Sequence, residues 1–409
     1  MTKDKRSLES YGMIQGDESS IKDQMLYSRS YITMSIANLF TVSSFSTFFL
    51  FPLFVIDHGG SKSDIGIIMG FFALSSVLCR PWISSMVDQI GRKRSYSIGC
   101  CFMSVLPLVY LLFRGDLSSF YIPLILIRIL HGVGLAICFT ATFTYIADIT
   151  PEKRLNEGIG MFGITGLTGL AVGPIIAETI ILHFGFSTFF LTAAGMGTIG
   201  FLLQLLLPET FRRVSHESSE SFFSVLKKKK VLAVALLAFL FGFGLSASSN
   251  FVAPFAKEQN LSFISIYYIF YSAAAVFTRL FGGRLADRIG EARIIPYAVA
   301  LTGGGLLILM FLGGSAVLVI SGLLSGSGHG FLFPCLNALV IRNQPIHIRG
   351  KINGVFTGGI DAGAFIGSIV LGYIGQLVGF QVLFLCAGCT LLIGLTSFRF
   401  QVWQRDFQG

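Results

Sequence analysis

The chain has 409 residues and a net charge of +9, yet only 12% of it is charged while 53% is hydrophobic, including 41 phenylalanines. A soluble domain of this size carries roughly a quarter charged residues, and its surface must be wetted by water. These proportions exclude a soluble globular fold and leave the bilayer as the solvent.

The first 30 residues are polar, mix acidic and basic side chains, and lack an apolar stretch ending in a cleavage site. They read as a cytoplasmic tail rather than a signal peptide. From Tyr31 onward, apolar runs of about 20 residues, each sufficient to cross a hydrocarbon core of about 30 Å, recur to the C-terminus. They predict helices over 31–56, 63–86, 94–113, 118–147, 156–182 and 186–207, then over 231–256, 263–286, 292–312, 315–342, 350–377 and 380–400. The expected fold is an all-α membrane protein of twelve transmembrane helices in two pseudo-symmetric six-helix bundles, 31–207 and 231–400.

The long connection 208–230 is rich in Ser, Glu and Lys, and a short tail, 401–409, follows the last helix. Phe222, Phe223, Val225 and Leu226 sit beside Lys227 to Lys230. They suit an amphipathic segment on anionic lipid or, equally, a plain linker. Alternating the loops between two sides places Arg92, Lys93, Arg94, Arg212, Arg213, Arg284, Arg288, Arg342 and Arg349 together, and leaves Lys62, Arg114 and Lys257 opposite. This is the positive-inside pattern, so both termini are expected in the cytoplasm. The positive charge therefore belongs to a membrane topology and implies no nucleic-acid partner.

All seven cysteines fall within apolar spans and read as small buried residues. Cys386 and Cys389 have redox or metal spacing, but no His or acidic residue stands near them. No nucleotide-phosphate loop occurs, so ATP is not expected to drive this chain. No cofactor, metal or enzymatic activity is expected, and the outward loops are too short to form a separate binding domain.

The two halves repeat. Arg80, Asp88 and Gly91 recur at one constant spacing as Arg279, Asp287 and Gly290. Gly160, Phe162, Gly169 and Gly173 recur as Gly354, Phe356, Gly363 and Gly367, His131-Gly132 as His329-Gly330, and Pro52 as Pro254. Parallel repeats of six helices are a recurring transporter plan, with the solute site between the halves at mid-membrane.

The loop after the second helix reads SSMVDQIGRKR and the loop after the eighth reads GRLADRIG. A carboxylate followed three residues on by glycine, with arginines around it, suits a tight turn at a helix end. There Asp88 or Asp287 can accept from neighbouring helix N-termini and pair with arginine. The constellation of Asp88, Gly91 and Arg92, and of Gly283, Asp287, Arg288 and Gly290, resembles the loop signature of the major facilitator superfamily. The first copy departs from it at Ser84 and Gln89. Arg128-Ile-Leu-His131-Gly132 is similar to the family's Arg-x-x-x-Gly element, and Gly166, Gly169, Gly173 and Pro174 resemble the Gly-x-x-x-Gly-Pro element of its antiporter branches. Ala177-Glu178 replaces the trailing glycine pair of that element. Small residues at this spacing let helices approach closely, and proline adds a kink.

Several intramembrane polar residues are candidate sites. An arginine within an apolar span is costly, so Arg128 is expected to face a polar interior or to snorkel. Asp361, near mid-membrane, suits proton coupling or solute binding, or else a structural hydrogen bond. Glu178, closer to the outer end, is the second candidate. His131 and His329 suit solute binding, titration or helix packing, and Asn38 and Asn250 suit cavity-lining donors.

The resemblance covers 31–400 and implies a central cavity, alternating access and a small-molecule substrate. The leading expectation is proton-coupled export, with Asp361 carrying the proton and pairing with Arg128 when the halves approach. Proton-linked uptake is the alternative, and a transport-inactive membrane sensor is a reading of a different class. A monomer in a bacterial cytoplasmic (inner) membrane, in contact with membrane lipid, completes the expectation.

Overall fold

A computed structural model describes residues 26–211, 224, 226–342, 344 and 346–406. Within these ranges the side chains of Lys153, Asn156, Gly283, Arg284, Ala286, Asp287, 346–350 and 396–406 lie outside the description. So do the first 25 residues and most of the 208–230 connection, on which the amphipathic expectation for Phe222, Phe223 and Val225 falls.

Among the described residues every regular element is helical. The helices are α1 (Arg29–Asp57), α2 (Lys62–Ile90), α3 (Arg92–Leu112) and α4 (Leu117–Ile149). A continuous stretch, Leu155–Leu205, breaks at Gly185, where φ is 75°, a left-handed value that glycine tolerates best. The break makes two crossings, α5 (155–184) and α6 (186–205). Then follow α7 (Lys229–Glu258), α8 (Ile266–Ile289), α9 (Glu291–Phe311), α10 (Ser315–Ile341), α11 (Ile346–Val378) and α12 (Phe380–Asp406). Nine described stretches are long and apolar enough to cross a membrane. One of them is doubled by the Gly185 break, and the shorter apolar cores Ile266–Gly282 and Phe380–Leu395 bring the total to twelve crossings. The last helix runs on to Asp406, beyond its expected end at 400.

An even number of crossings puts the start of α1 and the end of α12 on one face, here called the terminal side. The opposite face is the far side. Local chemistry sets the helix ends. Ser28 caps α1 by accepting from Tyr31 N at 3.2 Å, and Ser61 with Asp64 forms a reciprocal capping box at α2. Prolines 81, 107, 123, 174, 254, 296 and 334 sit inside helices. Spanning helices tolerate them because neighbouring helices re-satisfy the freed carbonyls.

Apolar side chains point both inward and outward, as the bilayer requires. Leu78 and Trp82 of α2 are exposed, as are Leu112, Ile122, Phe277 and Leu377. Arg80, between Leu78 and Trp82, is turned about 200° from each and so faces the protein. The far-side half of the N-terminal bundle is an aromatic core of Phe48, Phe51, Phe54, Tyr110, Phe189 and Phe190, which accounts for part of the phenylalanine excess.

Glycines bring the backbones together in both bundles. A Cβ at Gly169 would meet Val42 at 3.0 Å, and one at Gly173 would overlap Ser46 Oγ, so α5 lies directly on α1. Ser46 Oγ donates to Gly169 O at 2.7 Å across that contact. The repeat-related Gly363 and Gly367 play the same part for α11 on α7, against Phe239 O and Phe243. Two main seams join the bundles, and the far-side end of α1 also touches α7. In one, α2 packs on α11 through Gly66, Gly70 and Gly372; in the other, α5 packs on α8.

Candidate functional site

At the α2–α11 seam, Arg80 reaches across from the first bundle. Its Nη1 donates to Thr357 Oγ1 at 2.8 Å, and its Nη2 forms an ion pair with Asp361. The two side chains are 21% and 27% exposed, so water reaches the pair. Arg80 is thus the ion partner of Asp361 in this arrangement, and the pairing expected from Arg128 is not found. The sequence carried the signal for this, because Arg80 is an intramembrane cation repeated at Arg279.

Arg128 is instead sealed inside the first bundle, with 1% exposure. Its guanidinium lies over Phe72 at 4.5 Å, Phe51 at 5.1 Å and Phe48 at 5.5 Å, and Nη2 approaches Met69 Sδ at 3.1 Å. Aromatic faces carry negative charge density, so this box holds a cation without a carboxylate. The expected snorkelling or cavity-facing positions of Arg128 are both replaced by that enclosure. His131, one turn on, is fully buried, with Nδ1 3.3 Å from Tyr110 OH and its ring edge against Phe48. His329 repeats the arrangement, hydrogen-bonded through Nδ1 to Tyr271 OH and lying against Phe241 at 5.1 Å.

The asparagines tie helices together within each half rather than lining an open space. Asn38 Nδ2 donates to Thr165 Oγ1 at 2.9 Å between α1 and α5, and Asn250 Nδ2 to Ser368 Oγ at 2.8 Å between α7 and α11. Both are almost fully buried.

Glu178 has a distinct role at the far side. Its carboxylate accepts from Ile264 N at 2.7 Å and Ser265 N at 2.8 Å, and also from Ser265 Oγ. It therefore caps the start of α8 from the opposite bundle, where the helix dipole favours negative charge. Lys62 adds three far-side ties. Its Nζ pairs with Glu258 at 2.9 Å and lies 3.9 Å over the Phe380 ring, and its N donates to Gln376 Oε1 at 3.1 Å. Phe49 of α1 packs against Tyr268 of α8 at 5.4 Å.

The terminal-side loop is built differently from expectation. Gly91 has φ 104° and Gly290 has φ 91°, which explains glycine at both turns. The carboxylate that receives the N-terminus of α3 is Glu209, accepting from Arg92 N at 2.9 Å and Lys93 N at 3.2 Å. Asp88 is half-exposed and pairs with Arg92 at 3.5 Å, while Arg92 Nε binds Asp148 at 2.8 Å. Glu209 had no recognisable pattern in the sequence, since it lies past α6 and only folding brings it to α3. Arg288 is exposed; Gly283 and the Asp287 side chain lie outside the described residues.

Two repeat-related bundles meeting along two seams, with charge at mid-membrane, make this a membrane transporter for small solutes. The sequence model described as Major Facilitator Superfamily matches residues 33–357 and 269–406, and the chain belongs to that superfamily. It is 23% identical to an uncharacterized MFS-type transporter of Methanocaldococcus jannaschii, over 83% of this chain and 89% of that protein. It is 26% identical to the multi-drug resistance efflux pump PmrA of Streptococcus pneumoniae, over 85% and 90%. Among solved structures, a POT family transporter in complex with a thioalcohol-conjugated peptide superposes with a TM-score of 0.74. That likeness spans 94% of this chain and 97% of the other at 14% identity, and it bears on the fold alone.

Proposed function

We propose that the protein is a secondary active transporter that exports a small organic solute in exchange for protons, with Asp361 carrying the proton. The observation that supports this reading is the Arg80–Asp361 ion pair, which spans two bodies that must move against one another. A carboxylate at mid-membrane stays charged only while a cation or hydrogen bonds compensate it; otherwise it takes up a proton. Rocking of the bundles separates or joins α2 and α11, so the same motion that changes access changes what compensates Asp361. In the present arrangement Glu178, Lys62 and Phe49 hold the far side together, and the site is read as open toward the terminal side. The excess of Arg and Lys on the terminal side supports a cytoplasmic assignment for that face. The efflux name of the Streptococcus pneumoniae relative supports export over uptake.

The test uses purified protein in proteoliposomes with an imposed pH gradient and a panel of small metabolites. The native chain accumulates at least one solute against its gradient. Asp361→Asn, which mimics the protonated state, abolishes gradient-driven accumulation and leaves equilibrium exchange of that solute intact. Uphill transport by the Asn variant with an unaltered pH profile removes Asp361 from the coupling role.

A further inference from the structure

The two seams are related by the internal repeat, and they differ in one respect. Arg279 stands in α8 where Arg80 stands in α2. The spacing that relates Gly169 to Gly363 and Gly173 to Gly367 also relates Gly163 to Thr357 and Leu167 to Asp361. Arg80 therefore has a hydroxyl and a carboxylate to bind, one helical turn apart on α11. Arg279 faces a hydrogen atom at Gly163, with Leu167 one turn on.

The correspondence is spatial as well as sequential, because a Cβ at Gly163 would overlap Arg279 Nη1. Among the described residues no carboxylate pairs with Arg279, and its Nε, like that of Arg80, is buried without a hydrogen-bond partner. Its guanidinium lies 5.5 Å from the Phe333 ring centroid. The phenol of Tyr271 is hydrogen-bonded to His329.

Among the described residues the other mid-membrane charges lie elsewhere or are paired. Arg80 and Asp361 cancel, and the Glu178 carboxylate is used by backbone amides at the far side. Arg128 also lacks a carboxylate, with Nε and Nη1 buried and unpartnered, but it is sealed inside the first bundle among three aromatic rings, away from either seam. Arg279 remains as surplus positive charge at a seam between the bundles, in a place where an unpaired cation is costly. A guanidinium presents a planar fork that matches the two oxygens of a carboxylate or phosphate.

We infer that Arg279 is the docking group for an acidic solute, whose carboxylate or phosphate supplies at the α5–α8 seam the charge that Asp361 supplies at the α2–α11 seam. The missing side chain at Gly163 lets the Arg279 guanidinium stand directly against α5, and Phe333 offers an apolar face to the remainder of the solute. This specifies the substrate class within the transporter reading above: a small organic anion.

The experiment measures binding in detergent, without a gradient, so it stands or falls separately from proton coupling. Thermal unfolding of the purified full chain is followed with benzoate, phenyl phosphate, benzamide or benzylammonium at matched ionic strength. At least one of the two anions raises the midpoint in the native chain, and which one does so distinguishes a carboxylate from a phosphate ligand. Benzamide and benzylammonium leave the midpoint unchanged. The anion response is lost in Arg279→Gln, and Arg279→Lys weakens apparent affinity about tenfold because the fork is gone. Leu167→Asp installs the missing carboxylate and removes the response by a different route, which carries the test where the Gln variant fails to fold. Absence of an anion response in the native chain, its survival in Arg279→Gln, or an equal response to benzylammonium overturns the assignment.

Discussion

Arg80 of α2 and Asp361 of α11 form an ion pair across the two bundles, although 280 intervening residues separate them along the chain. The pair joins the N-terminal half to the C-terminal half at the depth where a charge is least tolerable alone. Its partial exposure limits its worth to stability, but removing one member leaves the other uncompensated in a low-dielectric seam.

Arg80→Gln is expected to lower stability by about 1–3 kcal/mol, a figure reduced from that of a fully buried pair because water reaches the site. The exchanged double variant Arg80→Asp with Asp361→Arg restores most of that loss. Thermal midpoints in detergent of the native chain, Arg80→Gln, Arg80→Asp, Asp361→Arg and the exchanged double variant check this, and a double variant no better than the sum of Arg80→Asp and Asp361→Arg refutes a direct pairing.

Glu178→Gln keeps the shape of the far-side cap but removes its charge. Charge-assisted hydrogen bonds are worth about 1.5–3 kcal/mol, so the population moves toward the arrangement open at the far side. A cysteine placed at Ile264, a buried position that meets Glu178 only through its backbone amide, becomes more reactive to a membrane-impermeant thiol reagent in the Gln background. Equal labelling in both backgrounds means that Glu178 does not hold that side closed.

Gly173→Val places a branched side chain where the α1 backbone already lies against α5. Overpacking of this kind costs about 1–3 kcal/mol or more, and Gly363→Val on α11 is expected to act similarly through α7. Gly160→Val, at a position with open space beside it, is the control and is expected to be close to neutral. Expression level and unfolding midpoint report the contrast; equal losses at all three positions contradict close helix approach as the cause.

Glu209→Ala removes the acceptor for the first amides of α3 and leaves them exposed to competition from water. A loss of about 0.5–2 kcal/mol is expected, the usual size for a lost helix cap. Asp88→Ala should cost less, since Asp88 is half-exposed. The reverse order of the two unfolding midpoints rejects Glu209 as the principal acceptor.

Topology is checked by labelling single cysteines in a background free of the seven native ones. An impermeant reagent added outside intact cells is expected to reach Gly59→Cys, in the α1–α2 turn, and not Ser219→Cys, in the connection between halves. Labelling in the opposite pattern inverts the assignment of the terminal side to the cytoplasm.

The amino-acid sequence by itself determined that the chain is a bundle of twelve membrane helices in two repeated halves. Apolar runs, loop charges and glycine positions are local or strictly periodic properties, and the bilayer allows few structures to satisfy them. The two turn glycines were legible for the same reason, since both take a positive φ at a turn between consecutive helices. Tertiary structure decided the rest. Arg128 and Arg80 are both arginines in apolar spans, and nothing local distinguishes one enclosed by Phe48, Phe51 and Phe72 from one facing Asp361. Glu178 and Glu209 likewise became caps only because folding delivered the starts of α8 and α3 to them. Which charge meets which partner is a matter of helix rotation and of packing between distant segments, and periodicity along one strand of sequence does not encode it.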